Sequence, residues 1–312
     1  MSKTNSLLGF AAIIAALSLA NCSSGTSSQG TVLTAQTHPD VTGTVFTIVF
    51  ENESKTDVLD PSKAPFFTEL STKYGLASDY TSATHPSLPN YIMMTSGSLN
   101  GIINDNDPNA NVPLATHENL AYQLDAKGVK WRAYMESMGA PCKMESEGLY
   151  SAHHDPFLYY TDVTKSGTCA EHVVDFDENF DTDLADGSYK YMWITPNMCN
   201  DMHNCAASVS DKWLEGVVTK IMASDAYKNG GAIFITFDEG SSRAPGAGAS
   251  LPTIVVSPNL ANTPVIVKTA LDHRSYLATV EDIFDLGRIS TTETATPMSE
   301  FFKPAPAGST AQ

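Results

Sequence analysis

Gly43-Thr-Val-Phe-Thr-Ile-Val-Phe50 is a nearly unbroken run of β-branched and aromatic residues, followed at once by Glu51-Asn52. A strand with one wet face alternates apolar and polar side chains; this run does not, so it predicts a strand covered on both faces. Similar runs recur over residues 190–195, 231–237 and 251–257, separated by helical patterns at 65–74, 117–127, 211–228 and 274–286. Gly128 after Lys127 and Gly230 after Asn229 read as helix stops, each followed by a strand. Strand and helix alternate, which predicts an α/β fold with a mostly parallel central sheet flanked by helices. In such sheets ligand groups gather where the strands end at their carboxyl edge. The polar residues there are Glu51-Asn52, residues 197–203, and Asp238-Glu239.

The 312 residues are 42% hydrophobic and 9% aromatic, enough to bury a sizeable core. With 18 Lys+Arg against 35 Asp+Glu the net charge is −17, and no basic run offsets it, which excludes a nucleic-acid partner. Met1-Ser2-Lys3-Thr4 precedes an apolar stretch over residues 7–20 that is too short to span a bilayer, so residues 1–21 are expected to be a secretory signal. Its end, Leu19-Ala20-Asn21-Cys22, resembles a bacterial lipobox. Cys22 is therefore the expected lipidation site of an exported protein, anchored to a bacterial membrane facing the periplasm or exterior; free secretion is the alternative. The Ser/Thr/Gly-rich residues 22–41 are expected to form a flexible tether, residues 42–302 a single domain, and residues 303–312 a disordered tail. Cys142, Cys169, Cys199 and Cys205 are even in number, which in an exported protein points to disulfides. Sequence-near pairing would join Cys142 to Cys169 and Cys199 to Cys205, with all three connectivities open.

Glu51, Asp238 and Glu239, with the amide oxygen of Asn52, make an oxygen-rich set suited to a hard divalent cation such as Mg²⁺, Ca²⁺ or Mn²⁺. Solvated turn acids are the plainer reading. Thr84-His85-Pro86-Ser87-Leu88-Pro89-Asn90-Tyr91 is a Pro-punctuated turn that opens a short apolar helix, with Ser87 near its N-cap. A hydroxyl there feels the positive end of the helix dipole, which suits a nucleophile or a bound phosphate; the plainer reading is a cap alone. His154, His203 and His273 are each flanked by Asp, a context for a ligand or a proton carrier, whereas His38, His117 and His172 have none comparable.

Seven stretches in order, E-N at 51–52, H-P-S-L-P-N-Y at 85–91, W-R-A-Y-M-E at 131–136, H-D-P-F at 154–157, T-P-N-M-C-N-D-M-H-N at 195–204, T-F-D-E-G at 236–240 and D-H-R-S-Y-L-A-T-V-E-D at 272–282, resemble the bacterial phosphoesterase family. That family groups acid phosphatases, phosphatidylinositol-3-phosphate phosphatases among them, with phospholipases C inside the alkaline-phosphatase-like superfamily. The resemblance implies Ser87 as nucleophile and Glu51, Asn52, Asp238 and Glu239 as ligands of a divalent metal, with Mg, Ca, Mn or Zn and one site or two left open. It places His154, His203 and His273 against the phosphate or the leaving group, and His85 and Asn90 at the substrate. Asp201, His203 and His273 also resemble second-metal ligands, and Asn104-Asp105-Asn106 resembles a phosphate-contacting segment without singling out a member. His153 stands where relatives more often carry a basic residue.

The function so implied is a metal-dependent phosphoric ester hydrolase, foremost an acid phosphatase acting on phosphorylated small molecules or lipid head groups through a phosphoserine intermediate. A phospholipase C-type phosphodiesterase is one alternative, disfavoured by the lack of a long insertion for a lipid head group. A non-catalytic surface lipoprotein that binds phosphate or glycan is the other, and the retained Ser87 argues against it.

Overall fold

The computed structural model describes residues 38–241 and 249–304 and centres on the strand Val45–Phe50 (β1), all six residues of which are buried. Its edges are taken by Tyr191–Thr195 (β6) and Ala232–Phe237 (β7), both parallel to it. On one face Phe50 packs against Phe67 and Trp213, from the helices Pro65–Lys73 and Ala207–Ala223. On the other, Thr47 Oγ1 lies 2.6 Å from the Tyr276 hydroxyl of the helix His273–Phe284. Neighbours on every side explain why the run carries no polar alternation.

Outward from β6 come Trp131–Met135 (β4) and Val173–Asp175 (β5); beyond β7 come Thr253–Val256 (β8), Gly75–Ala77 (β2) and Val265–Val267 (β9). All pairings are parallel except β7 with β8 and β8 with β2, so β8 alone opposes the other seven strands. Tyr80–Thr81 (β3) and Leu271–Asp272 (β10) form a separate two-stranded parallel ribbon. The α/β architecture, mostly parallel and flanked by helices, is the predicted one.

Several boundaries differ from expectation for local reasons. The pattern over 211–228 is two helices, Ala207–Ala223 and Asp225–Lys228, because Ser224 leaves the helical conformation and its hydroxyl accepts from the Tyr227 N–H. The helix expected from residue 117 begins at Leu120, where the Asn119 side chain accepts from the Tyr122 N–H at 2.9 Å. The domain also extends past both expected ends. Residues 38–41, assigned to the tether, pack on it: Asp40 N–H donates to Lys303 O at 3.0 Å, and Val41 is 4% exposed. Lys303 and Pro304 are thereby paired rather than tail. The signal segment 1–21, Cys22, the rest of the tether to residue 37, and residues 305–312 lie outside the described residues. Cys142–Cys169 and Cys199–Cys205 are the disulfides, with Cα atoms 5.6 and 4.7 Å apart. Among the described residues no helix is long and apolar enough to cross a membrane.

The Phe50 ring lies 5.0 Å from Phe67, 5.5 Å from Phe237 and 6.1 Å from Trp213, centroid to centroid. Phe50→Ala empties the centre of that cluster and is expected to cost about 3–5 kcal/mol in denaturant unfolding. A loss below about 1 kcal/mol would mean that the cluster collapses around the void.

Candidate active site

β1 and β7 pair in the register Phe50↔Phe237, so Glu51 and Asp238 leave the sheet side by side. Asp238 N–H donates to Phe50 O at 3.0 Å, and Asn52 N–H donates to Asp238 Oδ1 at 3.2 Å. Asn52 has φ 55°, a left-handed conformation that Asn tolerates, and its side-chain amide donates to Glu51 Oε2 at 2.9 Å. From the loop after β6, Asp201 O accepts the Glu51 N–H at 2.9 Å. Glu51, Asp201 and Asp238 are 0% exposed, and Glu239 is 4% exposed.

Burial pushes all four carboxyls up, because water no longer stabilises the charged form. Glu51 is raised well above the usual range by burial and then by the charges of Asp238 and Asp201. Burial does the same to Asp201, and lifts Asp238 to about 7. Glu239 is pushed to about 9 by burial and by Asp238. Glu51 Oε1, Asp201 Oδ2 and Asp238 Oδ2 are buried with no hydrogen-bond donor.

Ser87 meets this cluster from the helix Ser87–Ser96. Pro86 holds the N-cap position and Ser87, expected near it, is the first helical residue. Its hydroxyl does not cap the helix; it donates to Glu51 Oε2 at 3.0 Å. Asn90 is fully buried and lashes the preceding turn to the helix: Oδ1 accepts from the Ala83 and Thr84 amides, and Nδ2 donates to Thr84 O and to Glu239 Oε2 at 3.2 Å. His85 Nδ1 lies 2.9 Å from Glu239 Oε1, while its buried Nε2 has no partner. The helix ends at Gly97, φ 67°, where a side chain would run into Thr291 Oγ1.

The three histidines occupy different ground. His154, 1% exposed and stacked on Tyr91, has Nε2 3.4 Å from Glu51 Oε1 and Nδ1 3.6 Å from Asp201 Oδ2. Burial, helped by His153 and His203, pushes its pKa well below the ordinary value. His203 is exposed at the rim, its centroid 6.2 Å from that of His154, with its N–H on Asp201 Oδ1 at 2.8 Å. His273 stands behind the cluster: Nε2 is 2.6 Å from Asp238 O and Nδ1 is 3.1 Å from the Tyr80 hydroxyl. Burial lowers it to about 4, and both nitrogens are committed to the chain.

Two acids carry more of this arrangement than the sequence indicated. Asp201 is a wall of the cluster. Glu136, directly after β4, accepts from Asn197 N–H at 2.8 Å, from Asn200 Nδ2 at 2.8 and 3.0 Å, and from Trp213 Nε1 at 2.9 Å. It thereby holds the loop that carries Asp201 and His203, which Cys199–Cys205 also closes. The available signal was an acid directly after an apolar strand, the same that marks Glu51 and Asp238.

Among the described residues no three His, Cys, Asp or Glu side chains are drawn into a closed coordination shell. The donor set nevertheless fits a hard cation. Three water-excluded carboxylate oxygens without donors are groups that a divalent ion would satisfy and that nothing among the described residues does.

Asp155, beside His154, supplies a pH test. It is 0% exposed; Oδ1 accepts from the Phe157 N–H at 3.0 Å, Oδ2 has no donor, and burial lifts its pKa to about 8. A carboxyl whose pKa is higher folded than unfolded holds its proton more tightly when folded. Its contribution to stability is therefore lost as pH rises from about 4 towards 8. Asp155→Asn keeps the accepting oxygen without the charge. It is expected to melt above wild type at pH 8 to 9 and to lose that advantage near pH 4; a difference independent of pH would refute the assignment.

The Phosphoesterase family profile matches residues 36–287. An acid phosphatase of Aspergillus fumigatus is 30% identical over 173 residues, 53% of this chain and 38% of that protein. Phosphatidylinositol-3-phosphatase of Mycobacterium tuberculosis is 24% identical over 261 residues, 83% of this chain and 82% of that protein. The chain spans about half the length of the acid phosphatases it matches. A solved structure of an alkaline phosphatase superfamily protein from Vibrio parahaemolyticus aligns with a TM-score of 0.55 over 83% of this chain and 71% of that one, at 10% identity, a likeness of fold. The profile covers β1 through the helix His273–Phe284, every strand and residue of the site included, and this chain belongs to the Phosphoesterase family.

Proposed function

We propose that the protein hydrolyses phosphoric esters, phosphomonoesters foremost, through a phosphoserine intermediate on Ser87. The observation that carries this reading is the Ser87 hydroxyl, at the first residue of a helix, donating to Glu51 Oε2 at 3.0 Å beside carboxylate oxygens that lack any donor. A serine serving only as a cap would turn its oxygen to its own helix.

Glu51, Asn52, Asp238 and Glu239, with Ser87 Oγ, would hold the divalent cation, which when bound offsets the clustered negative charge and favours the alkoxide form of the serine. Glu51 Oε2 receives the Ser87 proton. Attack of Oγ on phosphorus forms the serine O–P bond and breaks the bond to the leaving alcohol, whose oxygen takes a proton from exposed His203. Water then attacks the phosphoserine and gives its proton back to His203; the serine O–P bond breaks, Ser87 Oγ recovers its proton from Glu51 Oε2, and inorganic phosphate departs. The unpartnered Nε2 of His85 is left for a phosphate oxygen. His154 spaces Glu51 from Asp201, and His273 fixes Asp238 through its carbonyl. The acid phosphatases among the relatives support a monoester substrate, and the phosphatase from Mycobacterium tuberculosis supports a phosphorylated lipid head group within that class. Export and anchoring through Cys22 complete the proposal, with membrane contact through that anchor only; radiolabelled palmitate should enter wild type and not Cys22→Ser.

Turnover of p-nitrophenyl phosphate should exceed that of p-nitrophenyl phosphorylcholine and should vanish in EDTA; the reverse preference would make the protein a diesterase. Ser87→Ala should lose several orders of magnitude in kcat with its melting temperature nearly unchanged, because the hydroxyl caps nothing. An active Ser87→Ala protein would remove the nucleophile. A divalent ion should raise the melting temperature of chelator-stripped protein, by an amount equivalent to about 2.7 kcal/mol at a hundredfold excess over Kd. Asp238→Asn should blunt that rise, and an undiminished rise would place the cation elsewhere.

A further inference from the structure

An α-helix leaves the amides of its N-cap and first three residues without intrahelical partners. In the helix Ser87–Ser96 two of those four positions are prolines, Pro86 and Pro89, which have no N–H. Only the amides of Ser87 and Leu88 remain to meet an anion bonded to Ser87 Oγ. The Leu88 amide already has a partner: it donates to Asp105 Oδ1 at 2.9 Å, from seventeen residues downstream.

Asp105 is held there by a braced turn. Asn106 N–H donates to Asn104 Oδ1 at 3.0 Å; Asn106 O accepts from the Tyr159 hydroxyl and from Asn111 Nδ2, each at 2.7 Å. The next residue, Asp107, takes the Ser146 amide at 2.8 Å. The backbone is pinned, while Asp105 itself is only half-buried. Its charge also bears on Glu239. Independently of the helix end, the far oxygen of fully buried Glu51, whose other oxygen holds the Ser87 hydroxyl, has no donor. That orphaned oxygen calls for the cation proposed above, and a phosphoryl oxygen bonded to Ser87 beside it would meet the Leu88 amide on which Asp105 sits.

We propose that Asp105 is a resident anion of the phosphate subsite: its carboxylate occupies the Leu88 amide in the free protein and must be displaced by a phosphoryl oxygen. This rests on the phosphoester hydrolysis proposed above. Asp105 thereby weakens the hold on phosphate esters and on released inorganic phosphate alike, which favours product release. The residue sets affinity and takes no part in bond making.

Full-length wild type, Asp105→Asn and Asp105→Ser are to be titrated calorimetrically with inorganic phosphate, in whichever of Mg²⁺, Ca²⁺, Mn²⁺ or Zn²⁺ supports wild-type turnover. KM and kcat for p-nitrophenyl phosphate and melting temperatures are measured alongside. Asn keeps an oxygen for the Leu88 amide and removes the charge, so phosphate should bind roughly tenfold tighter and KM should fall by a similar factor, with kcat equal or lower. Asp105→Ser, which frees the amide, should move the same way. Unchanged or weaker phosphate binding in both variants overturns the proposal. A drop in melting temperature without a change in affinity overturns it too, and makes Asp105 a helix cap contributed from a distance. A wild type that neither binds phosphate nor turns over any phosphoester would sink the hydrolase reading itself, whereas an active wild type with indifferent variants sinks only the role of Asp105.

Discussion

Glu51, Asp201 and Asp238 are carboxyl groups without access to water, packed against one another at the carboxyl edge of the sheet. Two unit charges about 4 Å apart repel by about 4 kcal/mol at an effective dielectric constant near 20, and burial adds its own penalty. Nothing in the fold lets the three relax apart. The register of β1 with β7 places Glu51 beside Asp238, and the Glu51 amide is tied to the carbonyl of Asp201. The strain has two remedies, protons or a cation. The raised carboxyls, with Asp238 lifted to about 7, mark the first remedy, and under the function proposed above a bound cation would supply the second.

The scaffold holds this arrangement by distributing small restraints. Asp211 accepts from the Phe66 and Phe67 amides, fastening the start of one covering helix to the side of another. On the opposite face the Tyr276 hydroxyl bridges Thr47 and the Tyr191 hydroxyl, locking the helix His273–Phe284 under β1 and β6. That helix starts with a capping box between Asp272 and Ser275, which aims His273 at the Asp238 carbonyl. Glu136 and the disulfide Cys199–Cys205 hold the loop of Asp201 from two directions. Each restraint is local and modest, and the capping box, Glu136 and the disulfide act on the segments that carry or touch the site acids.

The central strands were legible because their burial is uniform: β1, β6 and β7 have neighbours on every side, and a continuous apolar run states that directly. The short strands were not, since β2, β3 and β9 hold two or three residues whose pairing is decided by tertiary contact. The orientation of β8 was hidden for a related reason, as direction leaves no mark on composition. At the site, residues directly after central strands were legible. Those that act through a folded loop were harder. Glu136 lies within a quoted stretch, but its service to Asn197, Asn200 and Trp213 exists only once β4 and β6 are adjacent. The three histidines have the same flanking acid and end in three environments, so sequence context marked them without separating their roles.

Ser87 shows how a helix-start residue is turned away from its own helix. The proline before it fills the cap position without a hydrogen-bonding side chain, and the proline two places on removes an amide that the hydroxyl could have accepted from. With local partners stripped away, the oxygen turns to the acid at the end of β1. The same two prolines leave the surroundings of the Ser87 hydroxyl poor in donors, while Glu51, Asp105, Asp238 and Glu239 supply acceptors. An incoming phosphate is an acceptor as well, so its binding cannot come from backbone amides alone, as it does in glycine-rich phosphate loops. Under the function proposed above it would come from positive charge added to the acids, from histidine donors at the rim, and from withdrawal of Asp105 from the Leu88 amide.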